Sequence, residues 1–306
     1  MGTKTNPVGE TLAARGPAMR DALAAVEIPA AAVAPDVKRI EPPGRWFSWN
    51  LKELIEYREL LYFLVWREIK VRYKQTLIGA GWAVLQPVAT MVVFSLFFGR
   101  LAKIPSGGLP YPLFFYAALL PWMYFAGALT GATGSVVENQ RVITKVYFPR
   151  VLLPLSAVFS GLVDFGIAFV LLIGMSFYYR VTPGPWLVFV PLFLLLAMLT
   201  ALGAGLWFAA LNALYRDVRY VVPFLIQFWL FASPVAYPSS LVPERWRTLY
   251  GLNPMAGVID GFRWAVTGQN PPSLGLLAAS AAAVLVMLVA GLWYFRRVET
   301  TVADVV

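Results

Sequence analysis

The chain has no cysteine and no histidine. The first absence removes disulfides and thiolate nucleophiles, and the second removes the commonest metal ligand and general base. Charge is scarce too: 13% of the 306 residues are Asp, Glu, Lys or Arg, about half of what a soluble domain carries, while 59% are hydrophobic. Such a composition belongs in a bilayer. No GxxxxGK[ST] phosphate loop occurs, and no soluble stretch is large enough to hold a nucleotide, so any ATP must bind elsewhere.

Charge-free runs extend over Gln75–Gly99, Ile104–Val137, Val181–Tyr215, Tyr220–Pro243 and Trp264–Phe295, and Val151–Tyr179 is interrupted only by Asp164. Each exceeds the roughly 20 residues a helix needs to cross about 30 Å of hydrocarbon. The expectation is an all-α membrane protein with six transmembrane helices at about 77–100, 111–137, 150–179, 186–214, 219–237 and 273–295. An even count puts both termini on one side. That side carries thirteen Lys and Arg near the span ends and the opposite side six. By the positive-inside rule both termini are cytoplasmic. The +9 net charge is therefore topology before it is nucleic-acid binding, and no nucleic-acid partner is expected.

Residues 1–44, rich in Ala, Pro and Gly, lack a signal-peptide core and read as a disordered cytoplasmic tail. The permease domain then runs over 45–306. In 51–73, Leu51, Leu54, Ile55, Leu61, Tyr62, Val65 and Ile69 recur at helical spacing between charged residues, which predicts an amphipathic helix at the membrane interface. By periodicity alone it is equally a lipid-anchored lead-in to the first span. The segment ENQRVITKVYFPR, residues 138–150, lies between two spans. It reads either as a positive-inside loop or as a short helix: Glu138, Asn139 and Gln140 suit a first turn, Pro149 a stop, and Val142, Ile143, Val146 and Tyr147 a docking face.

FLVWREIKVRYKQT (63–76), ENQRVITKVYFPR, YRDVRY (215–220), QFWLFASPVAYP (227–238) and LNPMAGVIDGFRWAVTG (252–268) resemble the permease subunits of ABC polysaccharide exporters, the O-antigen, capsule and teichoic-acid group. The likeness extends from about Leu51 to Arg297. It implies a homodimer enclosing a channel for a lipid-linked polysaccharide in the bacterial cytoplasmic membrane. It also implies two ABC ATPase subunits that bind ATP and Mg, leaving this chain without cofactor, metal or catalytic residues. On this resemblance 51–73 is the interface helix and 138–148 the coupling helix, with Glu138, Arg141, Ile143, Lys145, Tyr147, Arg67 and Arg72 as ATPase-coupling residues. Segment 238–270 becomes two outer re-entrant gate helices carrying Trp246, Arg247, Asp260, Arg263 and Trp264; without the resemblance it reads as an outer loop anchored by Trp.

Two stripes mix aromatic and amide groups: Trp82, Gln86, Thr90 and Phe97 on the first span, and Phe224, Gln227, Phe228 and Phe231 on the fifth. Aromatic faces and amides suit the C–H faces and hydroxyls of sliding sugars. Lipid-facing or packed aromatics are the competing reading. Asp164, the one acid inside an apolar run, costs on the order of 3 kcal/mol at mid-bilayer and must face protein or water, as a structural hydrogen-bonding group or a proton relay. Gly127, Gly131 and Gly134 read first as close helix packing and second as a thin channel wall. A permease for drugs or small lipids is the nearest rival. A proton-driven transporter and a membrane glycosyltransferase both lack their ionisable groups.

Overall fold

The computed structural model describes residues 55–74, 79–145 and 147–305, with Ala80 and 300–305 as backbone only. The expected tail 1–44, residues 51–54 of the interface helix, 75–78 before the first span and Val146 lie outside the described residues. Every regular element among the described residues is helical. In chain order they are α1 Arg58–Tyr73, α2 Trp82–Phe94 continued by π-helical turns Ser95–Leu101, α3 Tyr111–Glu138, α4 Gln140–Ile143, α5 Leu152–Tyr178, α6 Val190–Leu214, α7 Val218–Ala232, α8 Glu244–Tyr250, α9 Pro254–Thr267 and α10 Leu274–Val305.

Prolines mark several starts, because a first-turn residue needs no N–H. Pro112 opens α3, Pro191 opens α6 after the 3-10 turn Pro185–Phe189, and Pro254 opens α9. At α9 the preceding Asn253 also caps the helix, its side chain accepting from Met255 N at 3.1 Å, and Gly268 closes it in the left-handed conformation.

The core is built around α3, whose Phe114, Phe115, Tyr116 and Phe125 are wholly buried. Helices α5, α6 and α9 surround it, and α10 lies against α6. There Gly203 meets Gly291 so closely that a Cβ on Gly291 would stand 2.0 Å from the Gly203 carbonyl oxygen. Small residues permit that approach, which replaces the hydrophobic drive that lipid cannot supply between helices.

Loop contacts sort the helix ends. The Asn270 side chain donates to Gly107 O at 3.1 Å and Trp186 lies 5.1 Å from Trp264, gathering the 102–110, 180–189 and 268–273 connections at one end. Arg150 donates to Glu299 O and Arg67 to Asn139 Oδ1, each at 2.5 Å, gathering the basic connections at the other.

Five helices, counting α2 with its π turns and α6 with its 3-10 turn, are long and apolar enough to span. The expected fifth span is different: α7 has 15 residues, about 22 Å of helix against the roughly 30 Å required. It stops at Ala232 because Pro234 forces Ser233 into an extended conformation. The chain then continues irregularly to Ala236, whose carbonyl accepts from Tyr111 Oη at 2.8 Å at the far end of α3. The helix of the sixth span runs on past its apolar stretch, α10 extending to Val305. The expected coupling helix over 138–148 is a single turn, α4, followed by irregular chain.

Candidate transport cleft and its flanking clamps

Phe94 of α2 stacks on Phe115 of α3 with ring centroids 4.7 Å apart, and Gly99 sits beside Tyr111. Following the antiparallel pair downward in equal steps brings Trp82 level with Gly127. A cleft of about 830 Å³ lies between α2, α3, α5 and the end of α1. Trp82, Gln86 and Thr90 line it from α2, Gly127 and Thr130 from α3, and Asp164 from α5. Three of the four stripe residues on the first span therefore share one wall. Phe97, 55% exposed, lies outside it on the bundle surface. On α7, Phe224, Phe228 and Phe231 are more than half exposed and Gln227 is exposed. Phe228 lines an apolar groove of about 320 Å³ with Leu129 and Phe208.

Helix α1 packs against the bundle. It runs lengthwise along the first half of α5, in the same direction and in four-residue steps. Leu64 packs with Leu152 and Leu153. Glu68 accepts from Ser156 Oγ at 3.1 Å and Ser160 Oγ at 3.2 Å. Arg72 and Tyr73 both donate to Asp164. Asp164 thus has a structural cationic partner, which charge patterning within the spans had hidden because it comes from the helix before them. Burial pushes the Glu68 carboxyl above the ordinary carboxylate range, against the serine hydrogen bonds and the nearby Arg67 and Arg72. Burial, then the Asp164 hydrogen bond, raises the Tyr73 hydroxyl to about 12. Tyr62, Phe63 and Trp66 stand exposed on the rest of α1, where aromatics suit headgroup depth.

The 139–150 segment is clamped at both ends. Asn139, buried, receives Arg67 Nη2 at 2.5 Å and donates to Ser135 O at 2.7 Å. Arg150 holds Glu299 through its guanidinium and its backbone N–H. Between them Phe148 is buried, and Val142 and Ile143 pack on the Leu64 cluster. Of the expected outward apolar face, Val142 and Ile143 are therefore turned inward, while Tyr147 stays exposed. Ile143 belongs to the packing, while Glu138, Arg141, Lys145 and Tyr147 are exposed. Glu68, Ser156 and Ser160 escaped sequence reasoning, although their four-residue spacing against Leu64 and Arg72 is visible once the two helices are aligned; Asn139 was read only as a first-turn residue.

At the opposite end the expected pair of short helices is present as α8 and α9. Its candidates divide. Trp246 is 51% exposed, and Arg247 donates weakly to Val242 O at 3.4 Å. Trp264 stacks with Trp186 and Phe189. Asp260 and Arg263 are buried and paired at 2.9 Å. The Arg263 guanidinium also donates to Pro234 O at 2.6 Å, approaches Val235 O at 3.4 Å and sits 3.9 Å from the Phe114 ring centre. Tyr250 and Asn253 hold Ala232 O, and Tyr237 holds Phe231 O. Irregular backbone at membrane depth needs such partners, because lipid offers none. Burial raises the Asp260 carboxyl, opposed by Arg263, and lowers the Arg263 guanidinium.

Comparison with known proteins agrees with this architecture. The family described as "ABC-2 type transporter" matches residues 59–267. The O-antigen export system permease protein RfbA of Myxococcus xanthus is 32% identical over 242 residues, covering 78% of this chain and 92% of its own length. The protein of the same name from Klebsiella pneumoniae is 28% identical over 217 residues, 71% of this chain and 82% of its own. The polysialic acid transport protein KpsM of Escherichia coli is 25% identical over 243 residues, 76% of this chain and 91% of its own. The matched span takes in nearly all of α1, the cleft walls, the Arg67–Asn139 clamp and the α8–α9 pair, and the chain belongs to the ABC-2 type transporter family.

Proposed function

We propose that this chain is the membrane-spanning subunit of an ATP-driven exporter of a lipid-linked surface polysaccharide. Two copies enclose the channel in the bacterial cytoplasmic membrane, with both termini cytoplasmic, and two separate ATPase subunits bind ATP and Mg at the basic face. The observation that carries the reading is the cleft: an aromatic, amide and hydroxyl wall beside α2, on a chain whose relatives are named for O-antigen and polysialic acid transport. Such a wall supports sugar rings through C–H faces and hydroxyls without a single deep site, as a sliding polymer requires. The exposed apolar faces of α2 and α7 supply surface for the second copy.

Force enters at Arg141, Lys145 and Tyr147. Because Asn139 is tied to Arg67, the push reaches α1, and because Arg72 and Tyr73 hold Asp164, it reaches the cleft wall. Arg67 and Arg72 act here as internal links, and the outer pair α8 and α9 forms the exit gate. The test replaces Arg141, Lys145 and Tyr147 with alanine, sparing the inward Ile143, in the permease with its ATPase. Surface glycan and glycan-stimulated hydrolysis should both disappear while the permease dimer assembles normally. Full export by that variant overturns the assignment.

A permease for amphiphilic drugs or small lipids is the second reading, favoured by the apolar groove of about 320 Å³ beside α7. ATPase stimulation by amphiphiles and not by lipid-linked glycan would select it.

A further inference from the structure

Three glycines descend the same side of α3, and their surroundings differ. A Cβ on Gly131 would touch the Ala157 Cβ at 3.3 Å, so this glycine serves the contact with α5. At Gly134 a Cβ would meet the Glu138 carboxylate at 2.7 Å. At Gly127 it would meet none of the described residues within 4 Å. Among the described residues no neighbouring helix requires a glycine there, and glycine forms helix less well than alanine. Packing therefore leaves Gly127 unexplained. The cleft explains it: Gly127 is exposed on the wall of the 830 Å³ space, level with Trp82, where any side chain would project into the lumen.

We infer that Gly127 sets the clearance of the transport cleft, so that its missing side chain determines the largest cross-section of glycan the permease admits. The inference rests on the cleft being the cargo path. A polymer presents a ring at every step, so an added side chain obstructs each repeat in turn. Hindrance should rise steeply with side-chain size and weigh most on broad or branched repeats.

Two other glycines supply the control. Gly166 and Gly174 on α5 are equally open, with nothing within 4 Å of a Cβ, yet neither lines the cleft. The test is surface glycan per unit of membrane-inserted permease, in cells of the source bacterium whose own copy has been removed. The permease is expressed with its ATPase as Gly127→Ala, Gly127→Leu, Gly127→Trp, Gly174→Leu, Gly174→Trp or Gln86→Trp. Gly127→Ala should melt no lower than the parent and lose the least export of the Gly127 series. Gly127→Leu should lower export, Gly127→Trp should lower it about tenfold or more, and the Gly174 pair should stay within about twofold of the parent. If Gly127→Trp fails to accumulate, the Leu variant carries the comparison. Full export by both bulky Gly127 variants, with a block at Gln86→Trp, overturns the inference while leaving the cleft as the path. Full export by Gln86→Trp as well overturns the cleft reading itself. Equal losses at Gly127 and Gly174 would show that bulk on any open helix face is harmful, and the clearance role falls.

Discussion

Replacing Arg263 with methionine removes one guanidinium from four partners at once. Methionine keeps the volume and the flexible stem, so the change is chiefly electrostatic. Asp260 would remain buried without its cation, and the Pro234 and Val235 carbonyls would face a dry interior unpaired. Breaking a buried ion pair from one side costs about 3–5 kcal/mol, and each orphaned carbonyl adds on the order of 1–3 kcal/mol before relaxation. The contributions overlap, since α7 and the segment after it can shift, so a net loss of about 4 kcal/mol is the working figure. At roughly 2–4 °C per kcal/mol this is a fall of about 10 °C in the melting temperature of the purified permease. The double variant Arg263→Met with Asp260→Asn should recover a good part of that loss, because the uncompensated carboxylate goes with it. The assay is thermal unfolding of the detergent-solubilised permease, parent and both variants, followed by circular dichroism. An Arg263→Met variant melting within about 2 °C of the parent would refute the reasoning, and so would a double variant no more stable than Arg263→Met alone.

Two further perturbations address the basic end. Arg67→Ala and Asn139→Ala each break the link between α1 and the coupling segment, so glycan export should fall several-fold while basal ATP hydrolysis by the partner persists. The double variant should be no worse than either single one, and additive losses measured by surface glycan would show two independent roles. Glu68→Gln tests the ladder along α5. The raised carboxyl means that the fold favours protonated Glu68; its contribution is full below the ordinary carboxylate range and is lost as pH rises through the raised value. Hydrogen exchange of α1 in the parent should therefore be slower in mild acid than at neutral pH after correction for the intrinsic rate, and Glu68→Gln should abolish that difference. A pH dependence unchanged by the substitution would place its origin elsewhere.

The membrane class and the placing of most spanning segments were legible in the chain itself, because each depends on local composition; the two short helices between the last two spans came only with the family resemblance, since 238–270 by itself read as an outer loop. A run of apolar residues must leave water wherever it sits. The stripe Trp82, Gln86, Thr90 was likewise a property of one helix, readable from its period. What tertiary structure decided were matters between helices. Charge-free length overstated the fifth span, since Tyr220–Pro243 contains a break whose backbone is tolerable only because Arg263, Tyr250 and Asn253 arrive from other elements, beside Tyr237 of the break itself, to satisfy it. Ile143 looked like a docking residue until Leu64 and Phe148 closed over it. Asp164 lacked a visible partner because Arg72 precedes the first span, and Gly127 could not be told from Gly131 until the wall opposite each was known. Local sequence dictates where backbone polarity is hidden by a helix; only the assembled bundle dictates which side chains are left facing one another and which face open space.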